Sequence, residues 1–338
     1  RYAFSVFDKF NMSASTIHII SAGACGSALA HVWLQSGLAV RLWCRQAAQA
    51  EALSHHGINP AVPDCPVLTG VNGGQLDHFQ ATSPADIVVL AVKAQAQTAV
   101  FQNLAPSLHP DCTIVTASKG FADEQGALLS EALMGEPGLA VLSGPSFAAD
   151  LFANRPTALT LATAGDADPL LSTLSTPLLR LYHSDDPRGV QVCGALKNVI
   201  AIACGCADGM GLGASARSAL MTRGLREIER VIRAYDGDPR TAAGLAGIGD
   251  LALTCQDRQS RNHRFGFELG QGARASAVLA QGTTVEGVRA AQSVVAANRT
   301  QALDLPIVSA VAALVSERIT PQQLLNELLA RSHASDVG

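Results

Sequence analysis

The first part of the chain places a strand, a glycine turn, a helix and a second strand in immediate succession. Residues 16–20 are a β-branched run, residues 21–26 read Ser-Ala-Gly-Ala-Cys-Gly, and the helical stretch after them ends at Gly37. Residues 39–44 are a second strand-like run. This order predicts a βαβ unit, which commits the start of the chain to an α/β architecture.

Further apolar runs without alternation follow at residues 86–92, 113–117 and 139–143, and two more strand-like runs lie at 157–161 and 179–183. A strand that is apolar on both sides is typical of a parallel sheet covered by helices on both faces. We therefore predict a doubly wound, Rossmann-type domain over residues 13–187, with the last two runs extending its sheet.

From residue 188 the pattern changes to long helical segments broken by glycine, including residues 214–235 and 239–253. This pattern predicts a second, all-α domain over residues 188–335. Residues 1–12 lack the apolar stretch of a signal peptide, and we expect them not to be part of the fold.

Composition excludes several classes of function. The net charge of −4 gives no overall attraction to nucleic acid or to an anionic membrane. The eight cysteines lie mostly in apolar runs without C-x-x-C pairing, so we expect buried thiols in the cytoplasm and neither disulfides nor a metal site. No segment is expected to span a membrane, because none approaches the required uninterrupted apolar length.

The turn at residues 21–26 matches two thirds of the G-x-G-x-x-G dinucleotide fingerprint, with Gly23 and Gly26 at its second and third glycine positions. Ser21 occupies the first position, and we expect its backbone to stay at negative φ. A tight turn without a ligand is the alternative. At the end of the second strand, Arg45 replaces the acidic residue that would hold the ribose of NAD, which favours acceptance of NADP unless the guanidinium is simply solvated.

Lys197 lies within residues 194–203, a helix-like run that is apolar on every side. A helix of this kind is buried, and a buried lysine is costly unless it is paired. Catalysis is one reason to keep it; a snorkelling stem or a structural ion pair would also explain it.

Two strand ends and one loop carry further candidate residues. Lys119 follows the strand at 113–117, and the sequence Ser-Gly-Pro-Ser-Phe-Ala at 143–148 follows the next one; open α/β sheets bind ligands at such ends. Lys119 could instead cap or face solvent. Arg258, Arg261 and Arg264, interleaved with neutral polar residues, suit either a phosphate or carboxylate clamp or a solvated loop that pairs with Asp257.

Taken together, these segments closely resemble the bacterial NAD(P)-dependent sn-glycerol-3-phosphate dehydrogenases, in order from residue 16 to residue 307. The segments are residues 117–120 (Ala-Ser-Lys-Gly), 144–148 (Gly-Pro-Ser-Phe-Ala), 194–201 (Gly-Ala-Leu-Lys-Asn-Val-Ile-Ala), 222–224 (Thr-Arg-Gly), 244–251 (Gly-Leu-Ala-Gly-Ile-Gly-Asp-Leu), 254–255 (Thr-Cys), 260–262 (Ser-Arg-Asn) and 285–287 (Val-Glu-Gly).

The resemblance implies a Rossmann domain, a helical substrate domain and an active site between them, which interconverts dihydroxyacetone phosphate and sn-glycerol 3-phosphate for phospholipid synthesis. It also implies a homodimer with NAD or NADP as cofactor, and it makes Lys197 the general acid/base, with Asp250 nearby to raise a pKa that burial lowers. The substrate-binding residues that it implies are Lys119, Gly144, Ser146, Lys197, Asp250, Ser260, Arg261 and Asn262. Besides Gly23 and Gly26, the cofactor-binding residues are Ala24, Cys25, Arg45, Lys119, Ala148, Arg261 and Glu286.

Three positions depart from the family pattern. Ser21 replaces a glycine, Lys93 replaces the proline of Ala-Val-Pro, and Ser215 replaces an asparagine. The first predicts weakened cofactor binding. Two other functions stay open: a β-hydroxyacid or ketopantoate-type dehydrogenase of the same architecture, and a non-catalytic dinucleotide sensor.

Overall fold

A computed structural model describes residues 15–79, 83–133, 139–297 and 302–329. The expected extension at residues 1–12 and the outer ends of the two expected domains lie outside these ranges. Within them, the strands are β1 (Thr16–Ile20), β2 (Ala39–Cys44), β3 (Asn72–Gln75), β4 (Ile87–Leu90), β5 (Thr113–Thr116), β6 (Ala140–Ser143), β7 (Thr157–Thr163) and β8 (Leu179–Ser184).

The α-helices of the same residues are α1 (Ala24–Gln35), α2 (Ala47–His56), α3 (Ala94–Leu104), α4 (Ala148–Phe152), α5 (Asp168–Leu174), α6 (Pro187–Gly209), α7 (Gly213–Ala234), α8 (Asp250–Gln256), α9 (Arg261–Gly270), α10 (Ala275–Leu279), α11 (Glu286–Ala296), α12 (Pro306–Val315) and α13 (Pro321–Leu329). The strands precede α6, and from α6 onward the described chain is helical.

The strands form one sheet in the order β3-β2-β1-β4-β5-β6-β7-β8. Strands β1 to β6 are parallel, and Ile17 of β1 pairs with Val40 on one side and with Ile87 on the other. The order of the first six strands is that of a dinucleotide-binding sheet, with the topological switch point between β1 and β4. The predicted Rossmann-type fold followed by a helical domain is confirmed.

Two features of the sheet were not predicted. Strand β3 has the sequence Asn-Gly-Gly-Gln, which carries neither an apolar run nor an alternation, and it pairs along the edge of β2. Strand β7 runs antiparallel to β6, and β8 runs parallel to β7, so the two predicted extensions reverse the direction of the sheet.

Helix α6 is the centre of the helical domain, and every residue from Gly189 to Ala207 is buried. By length and composition α6 could span a membrane, so the expectation that no segment is long and apolar enough is wrong. Its most apolar window nevertheless lies entirely inside the protein. Helix α9 crosses it at backbone contact: a Cβ added at Gly205 would lie 2.0 Å from the carbonyl oxygen of His263. This close crossing carries the start of α9 toward the same end of the domain as Lys197.

The single helix predicted over residues 239–253 is wrong. The chain instead forms a 3-10 turn at Pro239–Ala243, a π-helical turn at Leu245–Gly249 and then α8. Gly244 is extended, and Gly247 has non-helical dihedrals (φ −88°, ψ −106°), so these two glycines interrupt the hydrogen-bond ladder. As a result Asp250 is the first residue of a new helix and lies in the interior, at 1% exposure.

The cysteines follow the expectation in six of eight cases. Cys25, at the start of α1, is exposed, and Cys65 is half-buried; the other six are buried, and all eight are free thiols. Cys25 lies in the first turn of α1, directly after the N-cap Gly23.

Candidate active site

The glycine turn joins β1 to α1 at the switch point of the sheet. Ser21 has φ +95°, so the expectation of a negative φ is wrong. Its amide donates to the carbonyl oxygen of Trp43 at 2.9 Å, and a Cβ added at Gly26 would lie 2.2 Å from the Ser21 carbonyl oxygen. The turn therefore keeps the tight course of a dinucleotide loop, and serine adopts there a conformation that favours glycine.

The start of α1 suits an anion. Gly23 is its N-cap and supplies no side-chain acceptor, the first turn contains no acidic residue, and Ala24 and Cys25 are exposed. Free amides and the positive end of the helix dipole are the features that bind a pyrophosphate. Arg45 is exposed immediately after β2, at the carboxyl ends of the strands, where the glycine turn also lies. The residues present fit a dinucleotide at this edge.

Lys197 is paired, not snorkelling. Its Nζ donates to Oδ1 of Asp250 at 2.6 Å and to Oγ1 of Thr254 at 2.9 Å, and the Thr254 hydroxyl donates to the carbonyl oxygen of Asp250 at 2.6 Å. The side chains of Lys197 and Asp250 are 9% and 1% exposed, respectively. Asp250 and Thr254 are four residues apart on α8, so one face of this helix holds the ammonium.

Lys119 joins the same carboxylate from the sheet. Its Nζ donates to Oδ2 of Asp250 at 2.6 Å and to the carbonyl oxygen of Gly144 at 3.1 Å. Gly144 follows β6 with φ +143°, a conformation that favours glycine. Asp250 therefore bridges two lysines, one from each domain, and the predicted residues Lys119, Gly144, Lys197 and Asp250 lie together.

Burial and neighbouring charges shift the pKa values of Lys197, Lys119 and Asp250 in different directions. Burial lowers the pKa of Lys197, and the positive charge of Lys119 lowers it further; although Asp250 raises it, the pKa settles at about 8. Burial would also lower the pKa of Lys119, but Asp250 raises it above its ordinary value. Burial would raise the pKa of Asp250, yet the two lysines keep it low. Of the three groups, Lys197 is therefore the one whose pKa lies closest to neutral pH.

Close packing brings Lys197 to the strand ends. A Cβ added at Gly194, one turn before Lys197 on α6, would lie 3.1 Å from Oγ of Ser143 and 3.6 Å from Cγ of Lys119. The absence of a side chain at Gly194 lets α6 lie directly against the end of β6. The two lysines therefore approach the same point from helix and sheet.

Residues 260–262 begin α9. The Ser260 hydroxyl accepts from the amide of His263 at 3.3 Å as the N-cap, Arg261 is exposed, and Asn262 is buried. The Asn262 amide donates to Oδ1 of Asn198 at 2.8 Å and accepts from the amide of Gly287 at 2.9 Å. Asn198 is the next residue after Lys197 on α6, so its bond with Asn262 connects the start of α9 to the neighbourhood of Lys197.

The arginine cluster does not act as one unit. The guanidinium of Arg258 stacks on the ring of Phe267 at 4.0 Å, while Arg261 and Arg264 are exposed. The alternative of pairing with Asp257 does not appear among the described residues: this carboxylate accepts from the backbone and side-chain amides of Gln259. Of the three arginines, Arg261 is the one at the helix start next to the buried cluster.

Glu286 begins α11, and its Oε2 accepts from the Asn198 amide at 3.4 Å. It lines a cleft of about 480 Å³ together with Gly120 and Phe121 from the sheet side and Arg289 from α11. Ser146, between β6 and α4, and Ala148, the first residue of α4, are both half-buried. No group of three or more His, Cys, Asp or Glu side chains in the described ranges is placed to hold a metal ion.

Two family models together match most of this chain. The model of the NAD-dependent glycerol-3-phosphate dehydrogenase N-terminus matches residues 16–168, and that of the C-terminus matches residues 186–326. The chain belongs to the NAD-dependent glycerol-3-phosphate dehydrogenase family.

Individual members of this family are similar over nearly the whole chain. A glycerol-3-phosphate dehydrogenase [NAD(P)+] of Halorhodospira halophila is 42% identical over 333 residues, covering 94% of this chain and 98% of its own length. The crystal structure of glycerol-3-phosphate dehydrogenase from Coxiella burnetii superimposes with a TM-score of 0.85 at 36% identity, covering 94% of this chain and 99% of that one.

The rival assignment has weaker support. A ketopantoate reductase of Ralstonia eutropha superimposes with a TM-score of 0.55 at 17% identity, covering 92% of this chain and 99% of that one, which shows a shared fold alone. Because both family models and the relatives at about 40% identity are glycerol-3-phosphate dehydrogenases, the comparisons support neither a ketopantoate-type dehydrogenase nor a dinucleotide sensor.

Two residues of this site, Thr254 and Asn198, were not among the site residues predicted from the sequence. Thr254 could have been found, because it lies four residues after Asp250 and so shares its helix face. Asn198 stands beside Lys197, but its contacts with Asn262 and Glu286 come from elements 64 and 88 residues away, and no local pattern indicates them.

Proposed function

We propose that this chain catalyses the reversible, NAD(P)-dependent interconversion of dihydroxyacetone phosphate and sn-glycerol 3-phosphate, mainly toward glycerol 3-phosphate for phospholipid synthesis. The observation that carries the proposal is the pair of lysines held by the buried carboxylate of Asp250, at the strand ends near the glycine turn. Family membership supports the substrate.

Reduction of the ketone leaves an oxygen that needs both positive charge and a proton. The reduced nicotinamide, when bound, supplies the hydride that the ketone carbon accepts. Lys197 donates the proton from Nζ to that oxygen and becomes a neutral amine, which regains its proton from solvent. Lys119 keeps its charge throughout and stabilises the developing oxyanion, because its pKa stays above the ordinary value.

Asp250 has a positioning role in this scheme. Its two oxygens hold both lysines at 2.6 Å, so neither ammonium has to be ordered at the moment of proton transfer. In the reverse direction the neutral Lys197 accepts the proton of the alcohol.

The substrate phosphate is assigned to the start of α9, with Gly144 and Ser146 lining the path toward the reacting carbon. Ser260, Arg261 and Asn262 supply a helix N-terminus, an exposed guanidinium and an amide, which together suit a dianion. Binding the phosphate away from the reacting carbon orients the ketone toward Lys197.

The cofactor is assigned to the carboxyl ends of the strands at the switch point. Gly23, Ala24, Cys25 and Gly26 would hold its pyrophosphate, while Lys119, Ala148, Arg261 and Glu286 would face its nicotinamide half. Arg45 favours acceptance of NADP, since a guanidinium can pair with the 2′-phosphate and stack on adenine. A hundredfold preference for NAD over NADP in kcat/KM would contradict this assignment.

The decisive assay follows the oxidation of NADPH, and separately of NADH, with dihydroxyacetone phosphate as substrate. We expect turnover that depends on the phosphate, with little or none when ketopantoate or a β-ketoacid replaces it. Turnover of those carboxylates without turnover of dihydroxyacetone phosphate would sink the proposal. Binding of NADPH without turnover of any of them would favour the sensor.

The organisation of the molecule is also proposed. We place the boundary between the Rossmann-type and helical domains at residues 187 and 188, where α6 begins. Resemblance to the family supports a cytoplasmic homodimer, which sedimentation equilibrium of the full chain would test; a monomer at micromolar concentration would contradict it.

A further inference from the structure

The two domains are joined by a hydrogen bond at the edge of the cofactor region. Nζ of Lys93 donates to Oγ1 of Thr284 at 2.7 Å, and the two residues are 191 positions apart in the chain. Lys93 follows β4 as the N-cap residue of α3, while Thr284 lies between α10 and α11. The bond therefore links a strand end at the switch point to the helical domain.

The bond lies beside the cleft described above. Gln95, two residues after Lys93, lines the cleft from the sheet side, and Glu286, two residues after Thr284, lines it from the helical side. The two walls are also joined within the cleft, where the Ser293 hydroxyl donates to the carbonyl oxygen of Asp123 at 2.9 Å. The bond of Lys93 with Thr284 is a second, exposed link between the domains, at the side of the switch point.

The chemistry of the pair is that of a reversible contact. Lys93 and the bond itself are exposed, and within the described ranges no carboxylate lies at ion-pair distance from this ammonium. An exposed hydrogen bond to a neutral hydroxyl contributes only a small net free energy, so its loss changes a rate several-fold, not by orders of magnitude. Lys93 also stands where the family pattern has proline, which has no side-chain donor.

We propose that Lys93 and Thr284 form a latch across the dinucleotide site at the switch point, and that this latch slows release of the bound dinucleotide. The proposal rests on the proposed function, since it needs a dinucleotide bound at the switch point beside this bond. Lys93 acts in it as a positioning residue, through the wall that carries Glu286. Lid opening sets the rate of product release in many enzymes, so a latch of this kind tunes turnover without touching the chemistry.

The test measures the rate of NADPH dissociation from the full chain by stopped-flow displacement with excess NADP. Thr284→Val removes the acceptor and keeps the lysine charge, whereas Lys93→Met removes the donor and keeps most of the stem. We expect each variant to release NADPH about fivefold faster than the parent protein. The double variant should be no faster than either single one, because both changes remove the same bond.

Thr283→Val is the matched control, with the same change in the same loop, and its release rate should equal that of the parent. An unchanged rate in Thr284→Val would overturn the latch. So would acceleration in Lys93→Met alone that disappears at high salt, since Lys93 would then act on the cofactor phosphates through its charge. Failure of the parent protein to bind NADPH would overturn the proposed function as well, and the two failures are thereby distinguished.

Discussion

Nζ of Lys197 lies 2.6 Å from Oδ1 of Asp250, and both side chains are buried. The carboxylate keeps a positive charge in a helix whose surroundings would otherwise expel it. Oδ2 of the same carboxylate accepts from Nζ of Lys119, so Lys197, Asp250 and Lys119 form one cluster. The proton affinity of Lys197 is therefore set jointly by burial, by Asp250 and by Lys119.

Removal of the Lys197 ammonium should greatly lower the rate of ketone reduction and leave NADPH binding almost unchanged. We expect Lys197→Met to lower kcat for dihydroxyacetone phosphate by about 10²- to 10⁴-fold, the usual contribution of a general acid. The dissociation constant for NADPH, measured by fluorescence titration, should change less than a few-fold. A variant with unchanged kcat and unchanged pH dependence would remove Lys197 from its assigned role.

The pH dependence should have opposite signs in the two directions. Reduction needs the protonated lysine, so its kcat should fall as pH rises through about 8, while kcat for oxidation of glycerol 3-phosphate should rise over the same interval.

Two variants should move the inflection of this pH profile. Lys119→Met removes a charge that lowers the pKa of Lys197, and should move the inflection to higher pH. Asp250→Asn removes the charge that raises it, and should move the inflection downward; shifts in the reverse senses would contradict the assigned causes.

Ser21→Gly should stabilise the protein. Serine at φ +95° adopts a backbone conformation that costs about 1 kcal/mol relative to glycine, so we expect a gain of that order in the free energy of unfolding in urea. NADPH should bind the variant at least as tightly as the parent. Ser36→Gly, at a residue with φ −90°, is the control and should bring no gain. A loss of stability in Ser21→Gly would show that the hydroxyl has a role that outweighs the backbone term.

Gly205→Ala should destabilise the crossing of α6 and α9. The new Cβ would lie 2.0 Å from the carbonyl oxygen of His263, so the two helix backbones must separate, at a cost of about 3 kcal/mol or more. Gly165→Ala, where the nearest atom would be Oγ1 of Thr163 at 3.9 Å, should change stability by about 0.5 kcal/mol or less. Equal thermal unfolding of the two variants would contradict the close crossing.

Glu227 should make stability fall as pH rises. It is buried on α7 and accepts from the amides of Ile307 and Val308 at the start of α12, at 2.7 and 2.9 Å. Burial raises the pKa of Glu227 from 4.5 to about 7, so between these values the folded protein holds a proton that the unfolded chain releases. Stability is lost over this interval, by at most about 1.4 kcal/mol per pH unit.

Glu227→Gln cannot titrate, so its free energy of unfolding relative to the parent should rise between pH 5 and pH 8. Glu229→Gln, on the same helix beside Arg226, serves as the control and should show no comparable trend. Parallel pH profiles for Glu227→Gln and the parent protein would rule out titration of the buried carboxylate.

Local pattern alone determined a large part of this protein. Strand-like runs predicted seven of the described strands, most of them because a strand covered on both faces is apolar throughout. The glycine turn predicted a helix directly after it, and α1 begins three residues earlier, within the turn. The all-round apolar segment predicted that α6 is buried, and hence that Lys197 needs a partner. Strand β3 was missed because a short edge strand that contains two glycines has no apolar signal.

Tertiary structure decided what the charged groups do. Asp250 is 53 residues from Lys197 and 131 from Lys119, and only the crossing of helix and sheet brings the three together. The conformation of Ser21, the break of the expected helix before Asp250 and the contact of Lys93 with Thr284 were decided in the same way. Periodicity reports the local backbone and its burial, whereas the pKa of a buried lysine depends on which distant elements pack against it.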